Sequence, residues 1–219
     1  CLFYSGVINL KNKNRNLFLL SKGHALGIFH AILLDQKLLS KNKYNLLTRT
    51  NKIGGQLDVI NLNYVDWNTG SLGHSIGVAI GLAIGNPKKK IFTIIGDAEI
   101  DEGSVWEGLF FISENRIKNI HIIIDRNRLS ASSFIKKKDI FDNNFFKKLN
   151  LKVFNFNGHN ILKIMDYLKK LKSNNRSTIA VMDTVKGNGI KIFENNLKYS
   201  HGQPSDELLR KIINNIKLF

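Results

Sequence analysis

The sequence predicts an α/β protein, an α/β/α sandwich around a mostly parallel central sheet. Apolar runs rich in β-branched residues alternate with helical patterns along the chain. The runs 90–95 and 119–125 are continuously apolar, which is typical of strands that helices cover on both faces of a parallel sheet. With 219 residues, 43% of them hydrophobic, the chain fits a single domain over residues 1–219.

The first third of the chain predicts one strand and two helices. Residues 16–21 indicate a short strand, and residues 23–39 an amphipathic helix. Residues 42–69 are polar and rich in Asn and Gly, so we expect an irregular segment of functional length. A helix over 70–85 carries a row of glycines whose spacing places them on one face and favours close approach of another backbone: 73, 77, 81 and 85.

A β-α-β unit follows, with strands at 90–95 and 119–125 around a helix at 104–115. Ser104 and Glu107 have the spacing of a capping box at the start of that helix. We expect its crossover to be right-handed. The remaining predicted elements are a strand at 152–156, a helix at 160–172, a strand at 177–185 and a helix from about residue 205.

Composition limits the classes of function. The chain has 33 Lys and Arg against 17 Asp and Glu, a formal net charge of +16. The lysines are scattered among many Asn and Ile residues, which share A/T-rich codons, so we interpret the charge as compositional bias rather than as a nucleic-acid interface. A basic surface would also favour phosphorylated small molecules.

Cysteine content and hydropathy point to a soluble, cytoplasmic protein. The single cysteine, Cys1, excludes an internal disulfide and favours a reducing compartment. The most apolar stretch, 71–85, contains a His and is shorter than the roughly 20 residues of a membrane-spanning helix. Because the chain opens with Cys1 and without a charged-then-apolar leader, we expect its native N-terminal segment to be missing.

Polar residues follow the two central predicted strands. Asp97 comes just after one strand and Asn127 just after the next. If these strands are neighbours, both side chains converge at the carboxyl edge of the sheet, where open parallel sheets bind ligands. A carboxylate, an amide oxygen and a backbone carbonyl near Leu129 would suit Mg²⁺. The alternative is that both residues merely cap turns.

Other candidate residues lie in loops. The glycine-rich turn 69–75 enters a helix, and its backbone N–H groups would suit a diphosphate. His24 and His201 each lie beside a predicted helix start, and each is also compatible with a structural role. Glu99 and Asp101, taken alone, are typical of solvated loop acids.

Six motifs together resemble the diphosphate-binding domain of transketolases, and most closely the split form in which this domain is a separate N-terminal subunit. They are "SKGHA", "TGSLGHSIGVAIGLAIG", "GDAEIDEGSVWE", "DRNRL", "VKGNGI" and "SHGQPSDE". They occur in the family's order over roughly residues 10–210, which is far more specific than any single motif. The resemblance implies the thiamine diphosphate-binding fold.

The resemblance also implies roles for individual residues. Asp97, Asn127 and the carbonyl of Leu129 would hold Mg²⁺ or Ca²⁺. The residues implied to contact thiamine diphosphate are His24, Gly70, Ser71, Leu72, Gly96, Asp97, Ala98, Glu99, Asn127, Leu129, Lys186 and His201. Glu102 would join a carboxylate network at a subunit interface. His24, His74 and His201 would act in proton transfer or on sugar hydroxyls.

The chain departs from the family pattern in three places. Ala98 replaces the second glycine of a Gly-Asp-Gly signature, which still permits close approach of a diphosphate if its φ is negative. Gln56 stands where split relatives commonly have a His that binds substrate. The upstream Ser-Gly-His element is absent.

In transketolases a Glu from a pyrimidine-binding domain activates the cofactor, and no segment here resembles that domain. We therefore expect a C-terminal partner subunit that supplies it, a homodimer of heterodimers, and transfer of a two-carbon ketol unit from a ketose phosphate to an aldose.

The alternatives are deoxyxylulose-phosphate synthase, the α chain of a 2-oxo acid dehydrogenase, a basic nucleic-acid-binding module or an inert remnant. An NTPase is disfavoured because no G-x-x-x-x-G-K-[ST] occurs.

Overall fold

The computed structural model describes residues 1–49, 58–60, 62, 64–130, 133–135, 143–201 and 204–215, without the side chains of 48, 49, 143, 144, 200 and 201. Its strands form one sheet in the order β1-β2-β3-β5-β4, and every pairing is parallel. The strands are β1 (Leu17–Leu20), β2 (Ile91–Gly96), β3 (Ile120–Arg126), β4 (Lys152–Asn157) and β5 (Thr178–Asp183). The predicted α/β class and parallel sheet are confirmed.

Helices connect the strands. They are α1 (Leu26–Asp35), α2 (Lys41–Arg49), α3 (His74–Gly85), α4 (Gly103–Glu114), α5 (Asn143–Lys148), α6 (Ile161–Lys172), α7 (Lys198–His201) and α8 (Asp206–Asn215). Short 3₁₀ turns at Gly23–Ala25 and Asp97–Asp101 follow β1 and β2 directly. Within the described ranges, no helix has both the length and the apolar character that a bilayer crossing requires.

Two apolar layers cover the two faces of the sheet, because successive strand residues point to opposite sides. On one face, α3, α4 and α5 pack against β2, β3 and β5 through residues that include Ile76, Leu109, Phe146, Ile91, Ile95, Ile122 and Val181. On the other, α1 and α6 pack through residues that include Phe29, Leu33, Leu168, Leu171, Phe92, Ile123 and Ala180. This double coverage explains the continuous apolar runs in the sequence.

Two local predictions were wrong. Residues 42–69 are not irregular throughout, because α2 occupies Lys41–Arg49 and the Ser40 hydroxyl accepts a hydrogen bond from Lys43 N at 3.2 Å, as a helix cap does. The capping box of Ser104 and Glu107 does not form. The 3₁₀ turn places the N-cap of α4 at Glu102, which makes no side-chain cap, and Glu107 is exposed.

The glycine row of α3 does not meet another backbone among the described residues. Gly77, Gly81 and Gly85 are exposed, and a Cβ atom built on any of them would have no described atom within 4 Å other than those of its chain neighbours and its own helix backbone. The close approach of α3 and α4 instead occurs at Gly108, where a Cβ would lie 2.4 Å from Ile76 Cγ2. The missing side chain of Gly108 therefore sets how closely these two helices pack.

Candidate functional site

Asp97 and Asn127 follow neighbouring strands at the carboxyl edge of the sheet. Strands β2 and β3 are neighbours, with Gly96 opposite Asp125, so both residues leave the sheet at the same level. Asp97 is 2% exposed and accepts a hydrogen bond from Arg128 N at 2.7 Å. The Asn127 Oδ1 accepts one from Leu129 N at 2.9 Å. The two strands are therefore neighbours, as predicted, and the loop after β3 is held directly against Asp97.

The environment of Asp97 suits a cation ligand. Burial raises the pKa of its carboxyl above the ordinary value, while the hydrogen bond from Arg128 N and the positive charge of Lys22 act in the opposite direction. A divalent cation would offset the cost of keeping this buried carboxylate ionised. Within the described part of the chain, no three His, Cys, Asp or Glu side chains form a metal-binding group. The residues present fit a cation held by one carboxylate, one amide oxygen and a backbone carbonyl.

Asp125 connects the ends of β1, β3 and β5 next to Asn127. No local sequence pattern indicated this role. Lys22, after β1, forms an ion pair with the Asp125 carboxylate, and the Thr184 hydroxyl, after β5, donates to its other oxygen. The Asn127 Nδ2 also donates to Asp125, at 3.3 Å. Because the amide nitrogen of Asn127 makes this contact, the amide oxygen lies on the side that faces away from Asp125.

Lys186 lies within electrostatic reach of the same cluster. Burial lowers the pKa of its ammonium group, the charge of Lys22 lowers it further, and Asp125 opposes both. Two lysines therefore share one neighbouring carboxylate at the carboxyl edge. This arrangement leaves positive charge where the resemblance predicts a phosphate contact for Lys186.

Glu99 is not the solvated loop acid that its sequence position suggested. It is 1% exposed, because the 3₁₀ turn Asp97–Asp101 folds its side chain back under β2. One carboxylate oxygen accepts from Ser21 Oγ at 2.5 Å and from Gly73 N at 3.0 Å, and the other accepts from Gly96 N at 2.8 Å. Glu99 thus ties the ends of β1 and β2 to the glycine-rich turn.

The glycine-rich turn presents exposed backbone beside this network. Gly70, Ser71 and Leu72 are exposed in the turn that precedes α3. Gly73 has a φ of +78°, and a Cβ there would lie 2.5 Å from Ser104 Oγ and 2.8 Å from Glu102 Cβ. A side chain at position 73 is excluded both by the left-handed backbone and by the close approach. Gly73 was predicted as part of the glycine row and of the turn 69–75, but it was not included among the individual site residues.

Ala98 lies in the 3₁₀ turn Asp97–Asp101, and it is not one of the described non-glycine residues whose φ is positive. The methyl group at this position therefore imposes no left-handed strain, which was the condition for Ala98 to replace a signature glycine. Gly96, two residues before Ala98, is extended, with φ −83° and ψ 157°. The backbone of the altered signature is compatible with close approach of a ligand.

The structure places the remaining predicted residues around the edge without joining them into one cluster. His24 is exposed in the turn Gly23–Ala25, and His74 is exposed as the first residue of α3. Glu102 is half-buried against Gly73. His201 ends α7, and its side chain lies outside the described residues, as does all of Gln56.

A cavity of about 400 Å³ opens beside Asn127 and includes Asp183, Thr184 and His159 in its lining. Arg126 binds Asp183 through two hydrogen bonds of 2.7 and 2.5 Å, and the Asp183 carboxyl has a pKa lowered chiefly by that contact. His159 Nε2 accepts from Val185 N at 2.7 Å. These contacts hold the ends of β3, β4 and β5 together next to the candidate site.

Comparison with known proteins gives a consistent result for the whole chain. Residues 7–213 match the family model described as "Transketolase, thiamine diphosphate binding domain". The chain is 28% identical over 217 residues to a subunit of apulose-4-phosphate transketolase from Actinobacillus succinogenes, covering 95% of this chain and 78% of the relative. It is 31% identical over 214 residues to transketolase-like protein 2 of Bos taurus, covering 91% of this chain and 34% of that protein.

Solved structures show the same fold. The chain superposes on transketolase from Campylobacter jejuni with a TM-score of 0.76 at 22% identity, covering 94% of this chain and 35% of that one. Superposition on transketolase from Leishmania mexicana gives a TM-score of 0.73 at 18% identity, and it covers 95% of this chain and 38% of that one. The chain thus spans about a third of these longer transketolases and over three quarters of the apulose-4-phosphate transketolase subunit. With six motifs in order, a matching family model and the same fold, the chain belongs to the transketolase family, as its thiamine diphosphate-binding domain.

Proposed function

We propose that this chain binds a divalent cation and the diphosphate of thiamine diphosphate, and that it serves a transketolase-type transfer of a two-carbon ketol unit from a ketose phosphate to an aldose. The observation that carries the proposal is that Asp97 and Asn127 follow neighbouring strand ends, with Asp97 buried and accepting a hydrogen bond from Arg128 N. Family membership supports the cofactor, and the donor set supports Mg²⁺ or Ca²⁺.

Each group at the edge has a separate task in this proposal. Asp97, Asn127 and the carbonyl of Leu129 hold the cation. The exposed backbone of Gly70, Ser71 and Leu72 and the charge of Lys186 face the diphosphate. The bound cofactor supplies the electron sink for carbon–carbon bond cleavage.

The histidines serve the substrate side of the proposed site. His24 and His74 are exposed at the start of helical segments, where their imidazoles would exchange protons with sugar hydroxyl groups, and His201 is assigned the same task. Gly96 and Ala98 allow the cofactor to approach the end of β2, while Glu99 keeps the glycine-rich turn in place. Glu102 is assigned to a contact with a partner subunit.

A partner polypeptide completes the proposed active site. Two relatives are named as subunits of apulose-4-phosphate transketolase, and this chain covers 78% and 76% of them, but only about a third of the longer transketolases. We therefore assign the activating Glu and the pyrimidine-binding domain to a C-terminal partner subunit. The proposed assembly is a homodimer of heterodimers.

Calorimetric titration tests the proposal. Thiamine diphosphate is titrated into the chain together with a candidate C-terminal subunit, with Mg²⁺ or with EDTA, and the titration is repeated with Asp97→Ala. We expect saturable binding that requires Mg²⁺ and is lost in the variant. A matched control, Asp166→Ala, removes an exposed acid of α6 that is ion-paired to Lys170 at 3.6 Å, and should leave binding unchanged. Mg²⁺-independent binding, or equal loss in both variants, would contradict the proposal.

A further inference from the structure

A second cavity lies at the amino edge of the sheet, opposite the candidate cofactor site. It has a volume of about 660 Å³, within the roughly 300–1,000 Å³ of small-molecule sites. Its walls include residues 116–118, 149–153 and 174–177, which lead into or begin β3, β4 and β5. Because β3 has seven residues and a strand rises about 3.3 Å per residue, roughly 20 Å of sheet separates this cavity from Asn127.

The cavity is lined by positive charge. Its cationic residues are Arg116, Lys118, Lys147, Lys152 and Arg176, and none of its described lining residues is an acid. None of these five side chains forms an ion pair with a carboxylate in the described ranges, and Lys152 lies over the Phe154 ring at 5.5 Å from its centroid. Like charges around one concavity raise the local concentration of anions.

Helix stabilisation explains only part of this cluster. Lys147 lies in the last turn of α5, and Arg116 lies two residues after the end of α4, where cations offset the negative end of the helix dipole. Lys118, Lys152 and Arg176 have no such task, because they lie in loops or at the start of a strand. Three cations therefore converge on the cavity without a described carboxylate partner that accounts for them.

The floor of the cavity is apolar, and its rim carries amides. Ile112, Leu149 and Leu151 are buried at the floor, while Asn150 and Asn175 are exposed at the rim. Cations and amide donors around an apolar floor match an anion that carries phosphate groups on an organic body.

The lining disfavours a nucleic-acid strand as the ligand. Single-stranded nucleic acid is bound along extended basic grooves with aromatic side chains on which bases stack. The described lining residues of this cavity include no aromatic side chain, and they surround one concavity rather than a groove. A small anion fits this geometry better than a polymer.

We propose that this amino-edge cavity is a second ligand site, which binds a small oligophosphate, either inorganic or attached to a nucleoside, independently of the cofactor site. The ligand's phosphates contact Lys118, Lys152 and Arg176, and an organic body, where present, covers the apolar floor. The site is formed by this chain alone and is independent of Mg²⁺.

The test is calorimetric titration of the full chain with inorganic triphosphate and, separately, with ATP, both in EDTA so that no cation is available to the carboxyl edge. We expect saturable one-to-one binding that weakens at least tenfold in the double variant Lys118→Gln/Arg176→Gln. The double variant Arg210→Gln/Lys211→Gln removes the same charge from α8 and should change affinity by less than twofold. Asp97→Ala should bind as the unchanged chain does, and circular dichroism verifies that each variant is folded.

The outcomes separate the sources of the phosphate. Tighter binding of ATP than of triphosphate indicates that the nucleoside uses the apolar floor, and equal binding indicates recognition of phosphate alone; both support the site. Absence of saturable binding, an equal loss in the α8 control variant, or tighter binding of a single-stranded oligonucleotide than of either probe overturns it.

Discussion

At the scale of single residues, Asp125 is the group on which the geometry of Asn127 depends. It accepts from Asn127 Nδ2 while holding Lys22 and Thr184, so it determines which side of the amide presents oxygen. We expect Asp125→Asn to weaken Mg²⁺-dependent binding of thiamine diphosphate about tenfold, since an amide at position 125 no longer enforces that orientation or neutralises Lys22. Calorimetry of the assembly measures the change.

The control for this prediction is Asp166→Asn, which makes the same chemical change at an exposed position on α6. Thermal unfolding separates positioning from stability. A fall in affinity that persists well below the melting temperature supports the orienting role of Asp125. An unchanged affinity would show that Asn127 keeps its orientation through the Leu129 N contact alone.

Gly73 and Gly77 belong to the same row of glycines, but the structure requires a glycine only at position 73. Gly73 combines φ +78° with a Cβ position 2.5 Å from Ser104 Oγ, whereas Gly77 is exposed and its Cβ position has no described atom within 4 Å beyond its chain neighbours and its own helix backbone. Gly73→Ala should lower the free energy of unfolding by about 1–3 kcal/mol through backbone strain. Gly77→Ala should raise it by up to about 1 kcal/mol through helix propensity. Urea unfolding of both variants measures the contrast, and equal effects would contradict it.

At the scale of elements, a buried polar contact joins β3, β5 and α6. His121 Nδ1 and the Tyr167 hydroxyl each lie 3.0 Å from Thr178 Oγ1, and His121 Nε2 has no hydrogen-bond partner in the described ranges. Burial, helped by the charge of Lys90, lowers the pKa of His121 to about 3. The imidazole is therefore neutral in the fold at neutral pH, and charging it would leave a buried cation among apolar side chains.

This contact predicts acid sensitivity. The folded pKa of about 3 lies below the unfolded value of 6.5, so between those values the unfolded chain binds more protons and stability rises with pH. Stability is fully present above about pH 6.5 and is lost as pH falls towards 3, with a slope approaching 1.4 kcal/mol per pH unit. Urea unfolding from pH 4 to 8 measures this slope. In the variant His121→Leu, the free energy of unfolding should depend less on pH. An identical pH profile in the variant would show that other groups cause the acid sensitivity.

Elements with a strong local signal were predictable, and those that depend on distant contacts were not. The apolar runs of β2 and β3 identify buried parallel strands because few other structures conceal such runs on both faces. The capping box predicted at Ser104 and Glu107 does not form because α4 begins at Gly103, so Ser104 lies inside the helix and Glu102 takes the N-cap position. Helix α2 was missed because its composition is polar and its Ser40 cap is a weak signal.

At the scale of the whole molecule, the same distinction holds for the candidate site. Asp97 and Asn127 were predictable as neighbours, since parallel strands end at one edge and each residue follows its strand directly. The contacts of Glu99 with Ser21 and of Asp125 with Lys22 join residues 78 and 103 positions apart in the chain. No local pattern encodes such pairs, so the hydrogen-bond and ion-pair partners of these two acids became visible only in the folded structure.

Under the proposed function, this chain forms only part of the thiamine diphosphate site, so ligand should stabilise the chain alone less than it stabilises the assembly with the partner subunit. Ligand that binds only the folded state stabilises it by RT ln(1 + [L]/Kd), about 2.7 kcal/mol at 100 times Kd. Since the chain spans about a third of the longer transketolases, thiamine diphosphate with Mg²⁺ should raise the melting temperature of the assembly with a C-terminal subunit several degrees more than that of the chain alone.

Differential scanning fluorimetry measures both shifts at matched ligand concentration. EDTA should abolish the shift and Ca²⁺ should restore it, because carboxylate, amide and carbonyl oxygens accept either ion. Asp97→Asn should respond less than the unchanged chain at every Mg²⁺ concentration, since the neutral amide no longer offsets the charge of the cation. Equal shifts for the lone chain and the assembly would mean that this chain holds the complete cofactor site, which would remove the reason for a partner.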